Sequence, residues 1–167
     1  MHFYSNRISS IRLEYFLIMK IEEEIKQKSF RNEYQKSAIN LVFTYGWMFN
    51  KQRGFFKNYG ITAQQYNVLR ILKGQYPNAI STSEIKSRML DKNSDSSRIV
   101  DRLAGKNLVH KSNCKSDKRL VDVSISDQGL HLLSEIEPHS LELDNTFSKL
   151  DIEEAKELNR LLDKLRG

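Results

Sequence analysis

Side chains suited to contact a charged partner gather in the middle of the chain. On a helix that starts near Ser94, a step of about 100° per residue places Ser97 and Arg98 opposite the apolar face of the same helix. Hydroxyl and guanidinium groups near a helix N-terminus can reach the base edges or phosphates of DNA. A polar and basic segment that includes Lys115 and Lys118 follows between two short extended stretches. These residue types in this order indicate a surface that can face a polyanion.

Other kinds of chemistry have little support in the sequence. There is no glycine-rich phosphate loop and no clustered Ser/His/Asp pattern. The single cysteine, Cys114, lies among lysines that could favour a thiolate, but no second cysteine can resolve an oxidised form, so an unreactive surface thiol is the favoured interpretation. We therefore expect no catalytic residue, no metal site and no cofactor. The histidines are scattered over separate segments: His2, His110, His131 and His139.

Composition sets the class of protein to expect. The chain has 167 residues, 39% of them apolar, and only two prolines and seven glycines, which favours long helices. The longest apolar run, Tyr15 to Met19, is far shorter than the roughly 20 residues that cross a bilayer. A lone cysteine excludes an internal disulfide and fits a reducing compartment. We expect a cytoplasmic protein of one ordinary domain size, with no membrane partner.

The net charge of +6 is unevenly distributed along the chain. Residues 81–126 carry ten Lys/Arg and six Asp/Glu, whereas residues 127–167 carry five and ten. A basic middle before an acidic end suggests a module that faces a polyanion, attached to a part that faces away from it. On charge alone, an ordinary solvated mixture of charges is an equally good interpretation.

Hydrophobic spacing and capping residues predict the order of helices. From Phe30, apolar residues recur every three or four positions to about residues 58–60, which predicts one long amphipathic helix. Thr62 with Gln65, and then Ser81 with Glu84, form capping-box patterns that start two shorter helices. A fourth helix is predicted over Ser94 to Lys106.

The pattern then changes from helix to strand and back. Residues 108–111 and 120–125 are predicted strands that enclose the basic segment as a hairpin. Ser126 is positioned to cap the next helix, in which Pro138 is a joint, and Asp151 opens a last helix rich in leucine. The predicted order is four helices, a hairpin and then two helices.

Two short helices followed by a basic hairpin make a winged helix-turn-helix, and the residues here resemble the MarR family of bacterial transcriptional regulators. The resemblance rests on SRIVDRL at 97–103, Leu108-Val109, DKR at 117–119 and VSISDQG at 123–129. It covers residues 30–165 in helix order and is motif-specific over 84–129. Asn107 departs from the usual glycine but also accepts positive φ, and Gly105 is expected to lie inside the recognition helix at a cost of up to about 1 kcal/mol.

The resemblance implies a fold that is mainly α with a small β-hairpin wing, a winged helix-turn-helix flanked by dimerisation helices. It divides the chain into an N-terminal extension with the start of the first helix over 1–29, of which 1–18 are expected to be dispensable, and three further parts. These are a long dimerisation helix over 30–60, the DNA-binding domain over 61–126, and C-terminal dimerisation helices over 127–167.

By the same resemblance, we expect a homodimeric DNA-binding regulator rather than an enzyme. It would be a repressor at a pseudo-palindromic operator that is released by a small aromatic or lipophilic effector. A sequence-independent nucleoid-type binder and a dimeric interaction protein that does not bind DNA are the alternatives.

The candidate residues fall into two sets. In the family, an acidic wing residue holds the arginine that enters the minor groove, a role that falls here on Asp117 and Arg119; a solvated basic turn is the alternative for the whole tip. The candidate DNA contacts are Ser94, Ser97, Arg98, Arg102, Lys115, Asp117, Lys118 and Arg119. The candidate effector residues, for which core packing is the alternative role, are Tyr45, Phe49, Phe56, Tyr59 and Tyr66.

Overall fold

The computed structural model describes residues 20–113 and 121–167, which form parts of two compact units, Met1–Trp47 and Met48–Gly167. In the first unit, Lys36 forms an ion pair with Glu22 (Nζ to Oε1, 2.6 Å). The predicted dispensability of residues 1–18 lies outside the described residues.

Helices dominate the described residues, with three short strands in the second unit. The helices are α1 (Ile21–Glu24), α2 (Glu33–Lys57), α3 (Ala63–Lys73), α4 (Thr82–Arg88), α5 (Ser96–Ala104), α6 (Asp127–Ile136), α7 (Leu141–Asp144) and α8 (Ile152–Arg166). The strands are β1 (Ile80–Ser81), β2 (Val109–Asn113) and β3 (Val121–Ile125). Short 3₁₀ helices flank α7 at Glu137–His139 and Asn145–Phe147. The predicted fold, mainly helical with a small β wing, is confirmed.

Local capping interactions start three of these helices. The Thr62 hydroxyl accepts a hydrogen bond from the Gln65 N–H, and the Gln65 side chain accepts one from the Thr62 N–H. The same reciprocal box begins α4 at Ser81 and α8 at Asp151. Each box satisfies two backbone donors that a helix start would otherwise leave without a partner.

The three strands form one antiparallel sheet in the order β1-β3-β2. The hairpin pairs Val109 with Ile125 and Asn113 with Val121. On the other edge of β3, Ile80 pairs with Val123. The sequence analysis missed β1 because a two-residue strand has no periodicity and is defined only by its distant pairing partner.

The hydrophobic core of the second unit lies between this sheet and helices α3 to α6. Its fully buried side chains are Val68, Leu69, Leu72, Ile85, Met89, Val100, Leu103, Val123, Leu133 and Ile136. Because each helix of the helix-turn-helix contributes to this core, its position relative to the wing is fixed by packing.

The junction between α5, β2 and α6 is held by a close backbone approach. Asn107 has φ of 58°, which ends the α5 turn and directs Leu108 into the sheet. The Leu108 carbonyl accepts a hydrogen bond from the Ser126 N–H (3.1 Å), and the Ser126 hydroxyl donates to the Asn107 carbonyl (2.7 Å). A Cβ on Gly129 would lie only 2.3 Å from the Leu108 oxygen, so this position requires glycine.

Two predicted boundaries are wrong by a few residues. The fourth predicted helix, α5, spans Ser96–Ala104 rather than Ser94 to Lys106, because Asp95 is its N-cap and accepts a hydrogen bond from the Arg98 N–H. Gly105 is the C-cap of α5 and not an interior residue, so the expected interior cost of glycine does not apply there. The long helix α2 begins at Glu33 rather than Phe30.

Helix α8 has one apolar face that the described residues leave unburied. Ile152 is 72% exposed and Leu165 is 71% exposed, and no residue of α8 is buried.

Among residues 20–113 and 121–167, no helix combines the length and apolar character that a bilayer crossing needs.

Candidate nucleic-acid interface

Helix α5 presents the exposed polar face that the sequence predicts. Ser97, Arg98 and Arg102 are exposed, whereas Val100 and Leu103 on the opposite face are buried in the core. Because α5 is the second helix of the helix-turn-helix, its exposed face is the one that can enter a major groove. Ser97, Arg98 and Arg102 therefore share one accessible surface.

Ser94 lies before α5, in the turn that joins it to α4. Its hydroxyl donates to Asp91 (Oγ to Oδ2, 2.7 Å), and the Asn93 N–H donates to the other Asp91 oxygen (3.0 Å). The hydrogen bond from the Ser94 side chain is the main reason that the pKa of Asp91 is held below its ordinary value. The hydrogen bond from the Asn93 N–H acts in the same direction. The Ser94 hydroxyl thus orders the turn that leads into α5.

Replacing Ser94 with alanine is expected to raise the pKa of Asp91 towards its ordinary value. Because the pKa is depressed in the folded state, the stabilisation is present above the unfolded-state pKa and is lost as pH falls through the folded-state pKa. The measurement is a titration of the side-chain carboxyl signals by NMR in wild type and in Ser94→Ala.

Glu84 provides an internal control for this titration. Its pKa is lowered by hydrogen bonds from the backbone and side chain of Ser81, so Ser94→Ala should leave it unchanged. An Asp91 signal that titrates identically in both proteins contradicts the assignment.

An ion pair connects α5 with the base of the wing. Lys111 on β2 donates to Asp101 on α5 (Nζ to Oδ1, 2.5 Å), and both side chains are partly exposed. The sequence gave no indication of this ion pair, because the contact depends on how β2 packs against α5. The pair orients the wing strands relative to the recognition helix.

The tip of the wing lies outside the described residues. Strands β2 and β3 are paired as far as Asn113 and Val121, and residues 114–120 lie between them in the chain. Four of the predicted DNA contacts, and Cys114, belong to this segment: Lys115, Asp117, Lys118 and Arg119. Their roles stay predictions.

A cleft of about 970 Å³ lies beside the recognition helix. Its walls carry two pairs of cations at a spacing of four residues, Arg53 with Lys57 on α2 and Arg102 with Lys106 at the end of α5. Lys106 also donates a hydrogen bond to the Gly60 carbonyl. Among the described residues, no carboxylate side chain lines this cleft.

Similarity to a solved structure decides the family. A MarR transcription factor from Planctomyces limnophilus is 30% identical in sequence, with a TM-score of 0.64 over 81% of this chain and 98% of that protein. Residues 61–121, which include α3 to β2, match the profile of the MarR family. The chain belongs to the MarR family.

Two further relatives of this MarR-family chain are a transcriptional repressor and a DNA-binding protein of similar fold. The HTH-type transcriptional repressor MdtR from Bacillus subtilis is 37% identical over 70 residues, which are 42% of this chain and less than half (44%) of MdtR. BpsR from Bordetella bronchiseptica, whose DNA binding is regulated by 6-hydroxynicotinic acid, has a similar fold: the TM-score is 0.63 at 22% identity over 77% of this chain and 99% of that protein. The predicted family is confirmed, and the chain is a DNA-binding transcriptional regulator with a winged helix.

The aromatic residues predicted for an effector occupy different environments. Phe56 is buried in the core and packs against Tyr66, with ring centroids 4.6 Å apart. Tyr59 lines a cavity of about 270 Å³ between the α2–α3 turn and α6, whereas Phe49 lines the cation-bearing cleft. Tyr45 belongs to the first unit and is 62% exposed. Within the second unit, the four aromatic residues therefore do not share one cavity.

Metal chemistry has no candidate site in the part of the chain that the structure describes. No group of three or more His, Cys, Asp or Glu side chains there could hold an ion. MdtR is named as a transcriptional repressor, and the Planctomyces limnophilus protein as a transcription factor.

Proposed function

We propose that this MarR-family regulator is a cytoplasmic homodimeric repressor that binds a pseudo-palindromic operator and has no catalytic activity. The observation that carries the proposal is the exposed face of α5, where Ser97, Arg98 and Arg102 stand on a helix fixed by the core. A two-fold dimer presents two such helices, which matches an inverted repeat. The repressor role is supported by the similarity to MdtR.

Each half of the interface has a proposed task. Ser97 and Arg98 lie near the N-terminus of α5, from which they can reach base edges, so they set sequence preference. Arg119, held by Asp117, enters the minor groove, while Lys115 and Lys118 contact phosphates; this assignment is supported by the family motif and by the hairpin that carries the segment. Ser94 supports the turn before α5.

Dimerisation is supported by the unburied apolar face of α8. Exposed leucines and isoleucine on one side of a helix are typical of an interface. The members of this face with the greatest exposure are Ile152, Leu158, Leu161 and Leu165.

A small aromatic or lipophilic anion is the proposed effector, and it weakens DNA binding by favouring a dimer with the wrong spacing of its recognition helices. The regulation of BpsR by 6-hydroxynicotinic acid supports this class of ligand. The aromatic residues Tyr45, Phe49, Phe56, Tyr59 and Tyr66 stay the proposed effector residues, and Tyr59 is the one that lines the cavity beside α6.

Replacing Arg98 with alanine is expected to flatten the discrimination between operator variants. A bidentate contact between arginine and guanine contributes about 1–3 kcal/mol, so the preferred site should lose roughly 5- to 150-fold in relative affinity. The experiment selects genomic fragments by competition binding and then compares wild type with Arg98→Ala on single-base variants of the selected site. Lys149→Ala, which removes an exposed cation outside α5 and the wing, is the matched control.

The same experiment separates the alternatives. Uniform binding of all fragments by the wild type indicates a nucleoid-type binder, and no binding indicates an interaction protein. Either result overturns the proposed function.

A further inference from the structure

We infer that the cleft beside the recognition helix is a groove for the sugar–phosphate backbone of DNA, and that Arg53 and Lys57 on α2 are phosphate contacts outside the helix-turn-helix and the wing. The inference rests on the proposed binding of operator DNA. It extends the interface to a helix for which the sequence analysis predicted dimerisation and effector contacts but no DNA contact.

The first argument is the charge of the cleft. Arg53 and Lys57 lie one helical turn apart on α2, and Arg102 and Lys106 are also four residues apart on the facing wall. With no carboxylate among its described lining residues, the cleft concentrates positive potential. A cleft with this potential favours an anionic ligand. Because its cations form two rows, it favours a polyanion over a single small anion.

The second argument is continuity with the recognition helix. A smaller cavity of about 260 Å³ is lined by Ser94, Arg98 and Arg102 together with the start of α3. Arg102 lines both cavities, and so do Thr62, Gln64 and Gln65 at the start of α3. A DNA strand that passes Arg98 therefore meets the cation-bearing cleft next.

The third argument is the length of the cationic row. Arg98, Arg102 and Lys106 recur every four residues along α5 and its last turn, which corresponds to about 12 Å at 1.5 Å per residue. One strand of B-DNA advances about 3.4 Å per nucleotide, so the row matches three to four nucleotides. Arg53 and Lys57 line the same cleft as Arg102 and Lys106 and can therefore bind the same strand.

The exposure of these cations favours a groove for the DNA backbone over an enclosed site for a small ligand. Arg53, Lys57, Arg102 and Lys106 are all exposed, and within the described chain no ion pair holds Arg53, Lys57 or Arg102. Hydrated cations on flexible stems bind phosphates largely by releasing counterions, which needs no buried polar group. The apolar part of the cleft, at Phe49 and Ile61, can contact deoxyribose.

The test compares the salt dependence of DNA binding in two double variants. Arg53→Gln/Lys57→Gln should lower the slope of log affinity against log salt by about 0.9 for each lost phosphate contact, or about 1.8 per subunit, and weaken binding on the order of tenfold or more at 0.1 M salt. Lys28→Gln/Lys149→Gln removes the same charge from exposed positions outside the cleft and should keep the wild-type slope. The probe is a genomic duplex selected by the wild-type protein, and circular dichroism checks the fold of each variant.

Phosphate ethylation interference on the same duplex provides the second readout. The wild type should lose binding when phosphates next to the base pairs contacted by α5 are ethylated, and Arg53→Gln/Lys57→Gln should become insensitive to ethylation there. A double variant with the wild-type slope and interference pattern overturns the inference while leaving the regulator intact. Benzoate binding by the wild type that the double variant loses, with DNA binding unchanged, also overturns it, because the cleft would then hold a small carboxylate. A wild type that selects no duplex shows instead that the proposed function itself fails.

Discussion

Gly129→Ala is expected to lose a large part of the stability of the DNA-binding domain. A Cβ at this position would lie 2.3 Å from the Leu108 carbonyl oxygen and 2.8 Å from Cγ1 of Ile125. The Leu108 oxygen belongs to the backbone and accepts a hydrogen bond from the Ser126 N–H. It therefore cannot rotate away as a side-chain atom can. Either α6 or the start of β2 must therefore move.

The expected cost is at least about 3 kcal/mol, at the upper end of what overpacking costs, against a total stability of roughly 5–15 kcal/mol. For a chain of this length, that corresponds to a fall in Tm of roughly 6–12 °C. Thermal unfolding followed by circular dichroism measures the change. The matched control is Gly74→Ala at the C-cap of α3, where φ is −66° and a Cβ would meet only ordinary contacts at 3.5 Å and 3.7 Å, so its Tm should not fall. Equal melting of Gly129→Ala and wild type contradicts the close approach.

Leu161→Glu/Leu165→Glu is expected to convert the dimer into a monomer. Both leucines belong to the exposed apolar face of α8, at 48% and 71% exposure. Each fully buried aliphatic side chain contributes about 1.5–3 kcal/mol, and placing a charge in the interface adds a desolvation cost. Glutamate is a good helix former, so α8 itself should persist. Sedimentation equilibrium at several protein concentrations measures the association.

The opposite face of α8 supplies the control for this prediction. Glu157 and Arg160 form an ion pair there at 2.7 Å, and Glu157→Ala/Arg160→Ala should remove only a few tenths of a kcal/mol from the helix and leave the dimer intact. Because no residue of α8 is part of the buried core, the DNA-binding domain should stay folded in both variants. A dimer that survives both the glutamate substitutions and truncation before Asp151 places the interface elsewhere.

The features that sequence analysis predicted correctly depend on neighbouring residues. The capping boxes at Thr62 and Ser81 join residues three apart, and the positive φ of Asn107 follows from the side chain that stands there. The start of α5 was misplaced because Ser94 and Asp95 are both good caps. Only the fold shows that the Ser94 hydroxyl is engaged by Asp91, which leaves Asp95 to cap the helix.

The features that sequence analysis missed depend on distant residues. Strand β1 exists because Ile80 meets Val123, and the ion pair between Asp101 and Lys111 exists because β2 packs against α5. The cleft combines residues from α2 and α5 that are about fifty positions apart in the chain. The spacing of cations within each helix was visible in the sequence, but nothing local indicated that the two rows face each other.

Strand β1 links the wing to the first helix of the helix-turn-helix. Ser81 pairs with Asp122 of the wing and is also the residue whose hydroxyl caps α4. Ser81 therefore joins the wing sheet directly to the start of α4, because one residue both pairs with β3 and caps the helix. Inserting a residue between the strand and the cap should separate these two roles.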